Sequence, residues 1–150
     1  MINLLQKIIR RIDDRTNKVQ TKILSSDTIS TGVILTFNNL VPGRMYDVKG
    51  PIKWDLDGNN IDTARGVVQI KDGSIIVSTT HWRWRRNDDE EMDDFWGTDH
   101  LNFSFKATNS TMTVEIAGLL NMIVLGSNNR SNTYVQLEER NDLVETTDFT

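Results

Sequence analysis

Apolar residues near the start of the chain recur at alternating steps of three and four: Ile2, Leu5, Ile9, Ile12, then Val19 and Ile23, with Thr16 holding the place between them. That spacing keeps one seam turned toward a partner as helices supercoil, with Ile2, Ile9, Thr16 and Ile23 at the a positions and Leu5, Ile12 and Val19 at d. Ile9 and Ile12 put β-branched residues at both core positions, a choice that favours trimers or higher states over dimers. The pattern predicts a coiled-coil helix over residues 1–24, trimerising through Ile2, Leu5, Ile9, Ile12, Val19 and Ile23. Thr16 weakens the seam, and about three heptads is short for an isolated coil, so the rest of the chain is expected to help hold it. Leu4 and Ile8 lie beside the seam, where they either widen the core contact or dock the end of the coil into another protein as an anchor. An amphipathic helix folded against its own domain is the competing expectation. Lys7, Arg10 and Arg11 also suit a membrane-surface or transit segment, but no continuous apolar stretch follows them, so neither a signal peptide nor a membrane span is expected.

Beyond residue 24 the period changes from helical to alternating. Val33, Leu35 and Phe37 alternate with polar neighbours, and Pro42-Gly43 then turns the chain. Met45, Tyr46 and Val48 begin a strand that Gly50-Pro51 interrupts or bends, and Ile52 and Trp54 resume it. Asp57-Gly58-Asn59-Asn60 is a second turn, and Asp72-Gly73 between two β-branched runs is a strong hairpin signal. Leu101, Phe103 and Phe105 alternate, Thr108-Asn109-Ser110 turns, and Met112, Val114 and Ile116 alternate again. Met122 to Leu125 and then Tyr134, Val135 and Leu137 close the series. About eight to ten short strands without a helical pattern predict an all-β antiparallel sandwich, a jelly roll, over residues 25–150.

The chain has 150 residues, enough for one domain with a small appendage and a genuine core. Its formal charge of -4 argues against a nucleic-acid partner, which calls for a concentrated positive face. With no cysteine, neither disulfides nor thiolate metal sites are available. His81 and His100 show no metal-ligand spacing, and no nucleophile motif or glycine-rich phosphate loop accompanies them, so no catalytic residues are expected.

The stretch 87–99 is the longest irregular one, crowded with Asp88, Asp89, Glu90, Glu91, Asp93, Asp94 and Asp99. So many carboxylates either spread into solvent or share a hard cation, Asp88, Glu90, Asp93 and Asp94 being the calcium candidates; the expectation is no metal and no cofactor. A glycosidase pair would need two acids held at a fixed separation, for which an acidic loop is a poor place. His81-Trp82-Arg83-Trp84-Arg85-Arg86 leads into this loop, which ends in Phe95-Trp96. In a strand Trp82 and Trp84 share one face and Arg83 and Arg85 the other. Either the indoles pack inward with the arginines outside, or Trp82, Trp84, Phe95 and Trp96 form an exposed platform for a sugar or a protein partner.

Two stretches carry a family resemblance. Phe37-Asn38-Asn39-Leu40-Val41-Pro42-Gly43-Arg44-Met45-Tyr46-Asp47-Val48 resembles the F-x-x-L-x-x-G-x-x-Y-x-V segment that opens the C-terminal head of bacteriophage fibre proteins. The segment from Gly126 through Arg130 and Thr133 to Leu137-Glu138-Glu139 resembles the closing segment of the same heads. Those heads are similar to the trimeric jelly rolls of the complement-subcomponent and tumour-necrosis-factor type. The resemblance implies a homotrimeric virion appendage, made in the host cytoplasm and displayed on the particle exterior. Its coil would be mounted on another virion protein, and its head would face outward for attachment, with a cell-surface glycan as a candidate partner. The near absence of a shaft favours a capsid head fibre or decoration protein over a tail fibre. A carbohydrate-binding module and a small glycan hydrolase using the acidic loop stand as alternatives.

Overall fold

A computed structural model describes Leu4 and residues 18–58, 60–86, 96–126 and 132–140. Nine strands follow in chain order: β1 Val19–Ile23, β2 Gly32–Phe37, β3 Met45–Leu56, β4 Thr63–Asp72, β5 Ile75–Arg85, β6 Trp96–Lys106, β7 Met112–Leu120, β8 Met122–Val124 and β9 Tyr134–Arg140. Apart from Leu4, which is helical and exposed, the described residues contain no helix, and none long and apolar enough to cross a membrane. The turns fall where glycine and asparagine permit them. Gly43, Gly58 and Gly73 have positive φ at the β2–β3, β3–β4 and β4–β5 connections.

All pairings are antiparallel and form two sheets, β1-β9-β3-β6 with β8 also on β3, and β2-β7-β4-β5. With the short β8 set aside, each strand of the first half pairs with one from the second half, and the wrapped order is that of a jelly roll. Alternate residues of both sheets meet between them. Phe37, Val48, Ile52, Trp54, Val68, Val114, Val124 and Val135 are fully buried there.

One interlock joins the sheets. Trp54 on β3 stands beside Gly97 on β6, and in the other sheet Gly66 on β4 stands beside Trp82 on β5. Trp54 lies over Gly66, where an added Cβ would come within 2.3 Å of the indole, and Trp82 lies over Gly97, where it would come within 2.6 Å. Each large ring thus occupies the space left by a glycine across the sandwich.

Residues 19–23 correct the expectation of a helix running to residue 24. They form β1, which pairs with β9 from Val19↔Glu138 to Ile23↔Tyr134. Val19 and Ile23 are four apart, a spacing that shares one face in a helix and in a strand alike, so the heptad fit could not separate the two. Val19, Thr21 and Ile23 are all β-branched, which suits a pleated edge. Both Val19 and Ile23 point outward and are about half exposed, at 46% and 54%, so they do not form the last layers of a coil. The boundary placed between residues 24 and 25 therefore moves to before Val19. Ile2, Leu5, Ile8, Ile9 and Ile12 lie outside the described residues.

Two polar clusters brace the sandwich. Asp72 is buried beside the β4–β5 hairpin and accepts bonds from the Thr108 N–H at 2.7 Å, the Thr108 hydroxyl at 2.8 Å and the Asn109 N–H at 3.0 Å, tying that turn to the β6–β7 turn. In the other cluster buried Glu139 pairs with Arg44, and the Val41 N–H donates to the Tyr46 hydroxyl oxygen at 2.7 Å. Burial pushes the Tyr46 phenol above its ordinary 10.0; the Val41 bond opposes the shift and the Glu139 carboxylate adds to it. Between the ordinary and the raised value the folded state holds a proton that the unfolded state has released, so stability falls as pH rises through that window. Denaturant titrations above pH 9 should show this decline, and Tyr46→Phe should flatten it. The same variant should cost about 1–2 kcal/mol at neutral pH, because the Val41 N–H loses its acceptor. An unchanged alkaline slope in Tyr46→Phe would exclude Tyr46 as its source.

Candidate functional site

The outer face of the five-stranded sheet carries a cleft, and its origin lies in how β3 shares its edge. Residues 45–49 of β3 pair with β9 and residues 54–56 with β8, which leaves 50–53 without a strand on that side. The Lys53 N–H donates instead to the Thr133 hydroxyl at 2.9 Å, and the Lys53 carbonyl accepts from the Leu125 N–H at 2.9 Å. Pro51 points its backbone to the same side two residues earlier and has no N–H to leave unsatisfied there. Gly50 lets the start of β9 come close: a Cβ on it would lie 2.1 Å from the Tyr134 carbonyl oxygen.

The result is an open cleft of about 760 Å³ lined by Ile23, Lys49, Pro51, Lys53, His100, Asn102, Asn132 and Tyr134, with Gly50 and Leu101 at its floor. Its side chains fall into cross-strand rows. Ile23 on β1 faces Tyr134 on β9, and Pro51 on β3 faces His100 on β6. In the next row Thr21 faces Gln136, Gln136 faces Lys49, and Lys49 faces Asn102. On the other side Lys53 faces Thr98, and its ammonium donates to the Thr98 hydroxyl at 3.1 Å. An apolar patch with one aromatic ring is thus flanked by amides and cations, and among the described residues no lining residue is acidic. The arrangement offers hydrogen-bond donors and a ring face, which suits the binding of a ligand.

The opposite outer face, on the four-stranded sheet, has a different chemistry. Arg65 lies directly across from Arg83, with His81 and Arg85 two residues to either side of Arg83. Trp82 and Trp84, the inward members of the same alternation, are half-buried and pack against the core. They therefore present no indole row on the outer face, where the arginines stand. Phe95 lies outside the described residues; Trp96 begins β6 opposite Asp55. Among the described residues no group of His, Asp and Glu could hold a metal ion, and Asp88, Glu90, Asp93 and Asp94 lie outside them.

Sequence patterning did not single out Lys49, Lys53, Asn102 or Tyr134. They are outward alternates of ordinary strands, and only the register of three strands, β3, β6 and β9, brings them together.

No protein-family model matches the chain, and no curated protein sequence matches it. Solved structures that share its outline include a chain of the infectious bursal disease virus Gx strain, 10% identical over 84% of this chain with a TM-score of 0.44. The VP2 subviral particle of infectious bursal disease virus is 12% identical over 84% of this chain with a TM-score of 0.40. Dimeric latent PorU from Porphyromonas gingivalis is 7% identical over 85% of this chain with a TM-score of 0.45. This chain spans 32%, 38% and 13% of those three chains respectively.

Proposed function

We propose that the chain is a non-enzymatic virion structural protein, a homotrimeric fibre or decoration protein of a phage particle. Residues ahead of β1 mount it, on the capsid rather than the tail, and the jelly-roll head faces outward for attachment. One observation carries most of the weight. The two stretches that resemble phage fibre heads lie about ninety residues apart, yet Tyr46 pairs with Glu139 and Val48 with Leu137 in adjacent strands. Arg44 and Glu139, one from each stretch, form a salt bridge beside that ladder. The stretches thus belong to one structural unit at the place where the chain opens and closes its head.

The trimer rests on the seam ahead of the head, on Ile2, Leu5, Ile9 and Ile12, with Leu4 and Ile8 as anchoring residues toward a capsid or tail socket. Light scattering of the purified full chain should return three times 17.2 kDa. Ile9→Asp with Ile12→Asp should bring it to a single subunit, while the head keeps its melting transition, because the described strands of the sandwich begin at Val19. A wild-type mass of one subunit would remove the trimer. The outer-face cleft favours one second possibility, a monomeric carbohydrate-binding module unconnected with any virion. A lone subunit that binds sugar would establish it.

A further inference from the structure

We propose that the cleft on the outer face of the five-stranded sheet binds a saccharide bearing a carboxylate, a pyranose of the uronic- or sialic-acid type. The inference deepens the attachment part of the proposed function and does not depend on the trimer.

A pyranose ring has an apolar C–H face and a rim of hydroxyls. The cleft answers both. Tyr134 is 41% exposed and Ile23 54%, and facing each other across β9 and β1 they form an apolar patch on which such a ring can lie, with buried Pro51 in the lining beside them. Asn102 lines the same cleft and Gln136 stands beside it, so carboxamides face the rim hydroxyls.

Charge narrows the ligand further. The chain as a whole is acidic, at -4, yet among the described residues the lining holds Lys49, Lys53 and His100 and no carboxylate. Lys49 and Lys53 lie four residues apart on one face of β3, roughly 13 Å along the strand, so the apolar patch lies between two cations. The Lys53 ammonium is fixed toward β6 by its bond to Thr98 and keeps two further protons to donate. Asp47 and Asp55 stand two residues beyond Lys49 and Lys53 on the same strand, outside the lining, so a carboxylated sugar lying between the lysines meets the cations first. A second copy of this face would bring lysines against lysines, and burying them unpaired is costly. Nucleic acid needs bases to stack as well as phosphates to hold, and the patch offers one exposed aromatic ring.

The test uses the full-length protein and calorimetric titration with galacturonic-acid oligomers, sialyllactose, neutral N-acetylglucosamine oligomers and single-stranded DNA. The acidic sugars should bind at least about tenfold more tightly than the neutral ones, and added salt should weaken them. Tyr134→Ala and Lys49→Ala should each weaken acidic-sugar binding by about tenfold without lowering the melting temperature, since both side chains are exposed. Which acidic probe binds better assigns the source, a uronic polymer or a sialylated glycan. Equal affinity for neutral sugars, full affinity in both variants, preference for DNA, or no heat with any probe would each overturn the proposal. A lone subunit that binds acidic sugar upholds the cleft and removes the trimer; a trimer that binds none does the reverse.

Discussion

Gly50→Ala is expected to lower the stability of the head by about 3–5 kcal/mol, the strain of a left-handed non-glycine residue added to that of a backbone clash. Gly50 sits at φ +141°, and a methyl group there would stand 2.1 Å from the Tyr134 carbonyl oxygen and 3.1 Å from the Val135 Cα. Neither obstacle is the yielding end of a side chain, so β9 itself must move. Gly58→Ala is the control. Its φ of +112° carries the same kind of strain, but nothing lies within 4 Å of the added carbon, so it should cost only about 1–2 kcal/mol. Both substitutions restrict the unfolded chain to the same degree, so their difference isolates the clash. Denaturant midpoints of the two variants measure it. If Gly50→Ala were no worse than Gly58→Ala, β9 would not rest on Gly50. Because Gly50 and Tyr134 both line the cleft, Gly50→Ala should also disturb the cleft while leaving the far sheet intact.

The sequence was most legible where a local period and a turn residue agreed. The alternation in β2 to β5 and in β7 and the turns at Pro42-Gly43, Asp57-Gly58 and Asp72-Gly73 lie where the residue pattern predicted them, whereas β6 begins at Trp96, inside the stretch 87–99 read as irregular, because Trp96 to Asp99 pair with β3. β1 was misread because Val19 and Ile23 satisfy a heptad and a strand equally, and what decides between them is the β9 edge, over a hundred residues away. Trp82 and Trp84 could be placed on one face, but not on the inner one; that depends on Gly97, which leaves the room Trp82 fills. The cleft was the least legible part. Ile23, Tyr134, Pro51 and His100 come from four strands, and nothing in any one strand distinguishes them from ordinary surface residues.

Trp54→Ala is expected to cost about 3–5 kcal/mol, the range for emptying a large aromatic site in a packed core. Trp54 is fully buried, and its ring fills the space that Gly66 leaves in the opposite sheet, so its removal opens a cavity between the sheets that neither backbone can close. Gly66→Ala should be destabilising on its own by about 1–3 kcal/mol, because the new methyl meets the indole at 2.3 Å. In the double variant the methyl enters space the ring has vacated. Its loss of stability should therefore fall short of the sum of the two single losses by at least about 1 kcal/mol, a coupling that denaturant unfolding of all four proteins in the cycle measures. Trp54→Phe should be far milder than Trp54→Ala. The Trp54 indole N–H is buried without a hydrogen-bond partner among the described residues, so phenylalanine removes an unsatisfied donor while keeping most of the ring. Strict additivity of Trp54→Ala and Gly66→Ala would mean that the two residues do not touch, and the interlock between the sheets would have to be abandoned.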